Sequence, residues 1–169
     1  MPPSTKTDTR KVAYAVVLVA IGVALAPYTS FPIGIARVNP TQHFVNVMGA
    51  VLLGPWWATI IAAIIGIIRN AMGVGTLLAF PGGMIGAFLA GILYKRMRNV
   101  YVGAIGEVAG TGLIAPVVSA VFVAPYLMGK SIPLLALVPS FLASTLAGAV
   151  LGVLALKLLK RADIVQLET

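Results

Sequence analysis

Nine of the twelve cations in this chain fall in three clusters, Lys6/Arg10/Lys11, Lys95/Arg96/Arg98 and Lys157/Lys160/Arg161, with long apolar runs between them. No other feature constrains the fold as tightly. An apolar helix needs roughly 20 residues to cross a bilayer, and a charge stranded within it is costly, so cations gather where spans end. The runs predict helices over 12–27, 43–53, 56–68, 76–94, 101–128 and 133–156, with the stretch 28–42 as a loop broken by Pro32, Gly34 and Pro40. With six spans, all nine clustered cations lie on one side, and only Arg37, Arg69 and Lys130 on the other. The positive-inside rule then places both termini in the cytoplasm. An odd number of spans would put one terminal cluster outside. The expectation is an all-α integral membrane protein with six transmembrane helices, multi-pass in the plasma membrane. It has a cytoplasmic basic N-terminus over 1–11, a single six-helix membrane domain over 12–156 and a cytoplasmic tail over 157–169.

Composition narrows the function. At 169 residues and 60% hydrophobic, the chain is far more apolar than a soluble domain, and six spans leave no room for a soluble catalytic domain. The net charge of +8 is dispersed at the ends of apolar runs, which suits the lipid bilayer and not nucleic acid. Without cysteine and with one histidine, no disulfide, metal-ligand set or nucleophile–base–acid set can be assembled. No catalytic residue and no metal site is therefore expected, and the chain is not read as an enzyme. Ala24-Leu25-Ala26 imitates a signal-peptide cleavage site, but Pro27 follows it directly, so 12–26 is read as a retained helix. Ala124 to Ser131 is one glycine short of a phosphate loop and lacks the buried strand that should precede it.

The polar chemistry is concentrated in Arg37-Val-Asn-Pro-Thr-Gln-His43-Phe-Val-Asn46 and in Arg69-Asn70. His43 and Asn46 are three apart and share a helical face. An imidazole, carboxamides and guanidinium groups suit a small ring-containing ligand with heteroatoms or an anionic group. The same residues also suit plainer roles: Arg37 and Arg69 as interfacial anchors, His43 as a cap, Asn70 as a partner for the last carbonyls of its helix. Glu107 is the only acid inside a predicted span, fit either for ligand binding or for joining helices. Phe80-Pro81-Gly82-Gly83 is expected to bend the fourth helix. Gly82/Gly86, Gly106/Gly110 and Ser144/Gly148/Gly152 recur every four residues, a spacing that lets helices approach closely. Ala20 and Ala24 form a further small-residue face on the first helix.

Taken together, the basic N-terminus, His43-Phe-Val-Asn-Val-Met-Gly-Ala-Val-Leu-Leu-Gly-Pro-Trp56, Arg69-Asn70, Gly73-x-Gly-Thr-Leu-Leu-Ala-Phe-Pro-Gly82 and Gly106-Glu-Val-Ala-Gly-Thr-Gly112 resemble the substrate-binding S components of energy-coupling factor (ECF) transporters, most of all the ThiW type. The resemblance runs over about residues 10 to 160. It implies capture of hydroxyethylthiazole or a related thiamin precursor at the outer face, under a lid made by the first loop. Capture would be followed by delivery with a membrane T component and two ABC-type ATPases. ATP would be used by those partners, with no cofactor in this chain. The alternatives are an S component for another vitamin, thiamin or its pyrimidine moiety, or a stand-alone small-molecule transporter. Carried over by position, Arg37, Asn39, His43, Asn46, Arg69, Asn70, Phe80, Glu107 and Thr111 become pocket candidates, and Ala20 and Ala24 dock the T component. Val16 stands where the family pattern would place an earlier alanine.

Overall fold

The computed structural model describes residues 5–34 and 36–166, so the ends of the expected terminal segments, 1–4 and 167–169, lie outside the described residues. Helix α1 (Thr5–Ala24) leads through the four-residue α2 (Ala26–Thr29) into a hairpin of β1 (Phe31–Ile33) and β2 (Ala36–Val38). Then come α3 (Pro40–Leu53), α4 (Pro55–Ala71) and α5 (Ala79–Met97). Last are α6 (Val100–Leu127) and α7 (Leu134–Arg161), each 28 residues and apolar enough to cross a membrane.

The hairpin lies within the stretch 28–42, for which the sequence predicts a loop without strands. Phe31 pairs with Val38 and Ile33 with Ala36 in antiparallel register, and Gly34 turns the chain at φ 59°, a conformation open to glycine. Helix α3 begins three residues earlier than the apolar run suggests. Asn39 caps it, its Oδ1 accepting from the Gln42 backbone N–H at 2.9 Å, and Pro40 occupies the first turn, where its missing N–H costs nothing. At 14 residues α3 is about 21 Å long, shorter than a hydrocarbon core.

Pro81 does not bend α5. The helix starts at Ala79, so Pro81 falls in the first turn, where the N–H has no partner to lose. The prolines that do alter a helix are in α6. Its α-helical start (Val100–Ala109) widens into π-helical turns at Gly110–Ile114 and Ser119–Leu127, either side of one α-turn at Ala115–Val118. Pro116 and Pro125 cannot donate to the preceding turn, and widened turns accommodate that loss.

Two of the small-residue stripes meet each other. A Cβ on Gly110 would stand 2.8 Å from the Gly86 Cα, so α5 and α6 touch backbone to backbone. The third stripe seats α3 on α7: a Cβ on Gly148 would run into the Pro40 carbonyl and the His43 Cβ, and one on Gly152 would lie 2.9 Å from Val47 Cβ. Beneath these contacts Val45, Val47, Ile61, Ile65 and Leu156 form a closed aliphatic core.

Outward, large aliphatics are bare, with Val121 67% and Leu135 83% exposed. A surface of this kind is unfavourable in water and matched to lipid tails. The three cation clusters gather at the end away from the hairpin. Arg10, Lys11 and Asp163 share a groove with Leu52 and Leu53, and the Lys157 ammonium sits 4.7 Å from the Tyr101 ring centroid.

Candidate functional site

At the hairpin end the first turns of α3 and α5, the last turn of α4 and the first half of α7 leave a cavity of about 410 Å³, including the solvent at its mouth. Arg37, Asn39, His43, Arg69 and Thr111 all line it. These five candidates, spread over 75 positions of sequence, are therefore brought to one place. Its interior is constricted, with room for only about two waters.

The floor is a buried polar network. Glu107 of α6 is fully buried, and its Oε1 receives His43 Nδ1 at 2.8 Å and Asn46 Nδ2 at 3.0 Å. Thr111 Oγ1 stands 3.0 Å from the same oxygen and 2.8 Å from the Gly82 carbonyl; its single proton serves one acceptor at a time. The second Asn46 amide hydrogen goes to the Gly83 carbonyl at 3.0 Å, and Asn46 Oδ1 accepts from Gln42 Nε2 at 3.1 Å. Glu107 and Asn46 stand behind the cavity wall. They hold the groups that face inward, above all the His43 ring, whose Nδ1 is committed to the carboxylate so that Nε2 is the ring nitrogen left for other partners. The packing has no slack, since a Cβ on Gly86 would sit 2.7 Å from Glu107 Oε2 and collide with Thr111 Oγ1.

The wall beneath the hairpin is built around Ser30 and Asn39. Ser30 Oγ accepts from Asn39 Nδ2 at 2.7 Å and from Arg69 at 3.3 Å. The hairpin itself is tied on both sides. Arg37 donates to the Gly73 carbonyl at 2.9 Å, Ser140 Oγ donates to the Ile33 carbonyl at 2.7 Å, and the Asn39 backbone N–H donates to Ser144 Oγ at 2.9 Å.

Two candidates stand apart from the cavity. Asn70 Nδ2 bonds the Gly66 carbonyl at 2.9 Å and reaches the Thr76 carbonyl at 3.4 Å, the helix-end role that its position also allowed. Phe80 packs on Gly66 of α4. Ala20 and Ala24 are exposed on α1, on the face opposite the buried Ala15, Leu18 and Gly22. Sequence reasoning missed Gln42, Ser140 and Ser144. Gln42 lies four residues before Asn46, a spacing that puts both amides on the His43 side of α3. The two serines are single hydroxyls in an apolar helix and carry no local signal of a site.

No curated protein sequence matches the chain significantly. Among solved structures, one similar in fold is described as "Structure and mechanism of the S component of a bacterial ECF transporter". It shares 16% identity, with 91% of this chain and 97% of that chain covered, at a TM-score of 0.76. That likeness assigns the fold. The family model described as thiamine-precursor transporter protein (ThiW) matches residues 12–162, which is most of the sequence, and the chain belongs to that family.

Proposed function

We propose that this chain is the substrate-capture component of an ECF-type ABC importer, taking up hydroxyethylthiazole or a closely related thiamin precursor. The observation that carries the reading is the cavity under the hairpin. Charged, amide and hydroxyl groups from β2, α3, α4, α6 and α7 converge there in an otherwise apolar bundle, and intramembrane polar groups are costly and mark functional sites. Family membership and the S-component fold support it. In this reading α1 and α3 to α7 form the membrane domain, the short α3 crossing with the help of adjoining residues or local thinning of the bilayer; both termini are cytoplasmic and the cavity opens outward. The binding groups are Arg37, Asn39, His43, Arg69 and Thr111, supported from behind by Asn46 and Glu107; Asn70 and Phe80 shape the surrounding turn and helix contact. A membrane T component with two ABC-type ATPases supplies the energy, and the exposed Ala20/Ala24 face of α1 meets the T component. The chain itself transports and does not catalyse.

Calorimetric titration of the purified protein with thiazole, pyrimidine and thiamin compounds tests the cargo. Saturable binding confined to the thiazole series, weakened about tenfold or more by His43→Ala, is the expected result. Tight binding of the pyrimidine or thiamin alone would reassign the cargo within the same class of transporter.

A further inference from the structure

Among the described residues, Arg69 is a buried cation without a counter-ion. It is 2% exposed, and its guanidinium is always charged. Among the described residues its polar side-chain contacts are neutral and long: 3.5 Å to Gln42 Oε1 and 3.3 Å to Ser30 Oγ, beyond the usual range for an N–H···O bond. Its Nε has no hydrogen-bond partner among the described residues. Nor does the rest of the sequence hold a counter-ion for it. The four acids are Asp8, Glu107, Asp163 and Glu168, so Glu107 is the only one between 9 and 162; its Oε1 takes His43, Asn46 and Thr111, and its Oε2, buried and without a hydrogen-bond partner, makes no ion pair with Arg69 among the described residues. Arg37, a second cation, lines the same cavity. A buried, unpaired guanidinium is strongly unfavourable. Its planar fork matches one partner class particularly well, an oxyanion held by two parallel N–H···O bonds.

We infer that Arg69 anchors a negatively charged group on the transported molecule, a carboxylate or a phosphate monoester, with Arg37 adding a second positive charge at the mouth. This rests on the capture reading above and deepens it: the preferred cargo is an anionic congener of the thiazole and not the neutral alcohol. Even with the Glu107 carboxylate behind the wall, Arg37 and Arg69 leave the cavity positive, and an anionic cargo supplies the missing charge. Burial of the pair on binding gives the anion its advantage, while the neutral compound leaves Arg69 as it stands.

The experiment measures binding of hydroxyethylthiazole, its phosphate ester and a carboxylated thiazole to the full chain in phospholipid-free detergent, for the native protein, Arg69→Gln and Arg69→Lys. An anionic congener should bind about thirtyfold or more tightly than the neutral alcohol. Arg69→Gln should erase that ratio, and Arg69→Lys, which keeps the charge without the fork, should retain part of it. Equal affinity for neutral and anionic compounds, or a ratio that survives Arg69→Gln, overturns the inference. If no thiazole binds, the cargo reading fails, and inorganic phosphate and acetate then decide the anion site at fixed ionic strength. A rise in melting temperature seen in the native protein and lost in Arg69→Gln upholds it; no rise overturns it. Should phosphatidylglycerol in nanodiscs stabilise the native protein through Arg69 while the soluble anions do nothing, the partner is a lipid headgroup and the inference is also overturned.

Discussion

Removing the Glu107 carboxylate leaves the His43 Nδ1–H and one Asn46 amide hydrogen without their acceptor in a closed interior. Glu107→Ala should therefore destabilise the protein by about 3 kcal/mol. Glu107→Gln, which keeps an oxygen in the same place, should cost about 1 kcal/mol. Thermal unfolding in detergent ranks the two; equal losses would mean that the carboxylate oxygen is not what organises the network. Much of the site at this scale was legible from residue types alone, because a guanidinium, an imidazole or an intramembrane acid needs a reason to stay in so apolar a chain. The partnership of His43 with Glu107 was not. The two are 64 positions apart, and no local pattern encodes which acid faces which imidazole. Asn70 shows the opposite case, a polar residue beside the site whose side chain is spent on its own helix end.

The elements reach their positions through a few close approaches. Helix α3 carries Gln42, His43 and Asn46 into the network only because Gly148 lets its first turn lie against α7. Gly148→Ala pushes the Pro40 carbonyl and the His43 Cβ aside. It should cost about 2 kcal/mol and weaken ligand binding along with stability. The nearby Ala149→Gly, which opens space and moves nothing toward α3, should leave affinity within a few-fold; denaturation and binding measured on both variants check the pair. The hairpin makes a second prediction. Ser140→Ala removes the bond to the Ile33 carbonyl, so the hairpin should open more readily and ligand should leave several-fold faster in stopped-flow displacement, with little change in melting temperature. An unchanged off-rate would show that the hairpin does not gate the cavity. Helix positions were readable from the apolar runs, whereas the hairpin was not: Pro32, Gly34 and Pro40 read as breakers, and a pairing of three residues per strand leaves almost no alternation to detect. Pro81 misled for a related reason. A proline's effect depends on whether it stands in the first turn or the interior, and that boundary is the least certain feature of a helix read from sequence.

For the whole molecule, polarity is sorted by end. The clustered cations sit away from the hairpin, the cavity lies beneath it, and bare aliphatic faces surround the long helices between. One of those faces, Val16, Val17, Ala20 and Ala24 on α1, is exposed beside a closely packed inner side. In the proposed assembly it meets the T component. Ala20→Trp should then abolish uptake in cells that express the complete importer while the isolated protein binds its ligand normally. Retained uptake would move the contact to another face. The sorting of charge was visible in the sequence, and so was the general architecture, because bilayer thickness and charge cost act on every span alike.

The central claim is that the cavity opens outward and closes over cargo. The chain has no cysteine, so one introduced thiol reports one place. Thr76→Cys puts it in the cavity wall, and Lys95→Cys puts it among the cations of the opposite end. Labelling intact cells with a membrane-impermeant maleimide should modify Thr76→Cys and not Lys95→Cys, and a bound thiazole precursor should protect Thr76→Cys. Labelling of Lys95→Cys alone, or modification of Thr76→Cys that no thiamin precursor slows, would contradict the account.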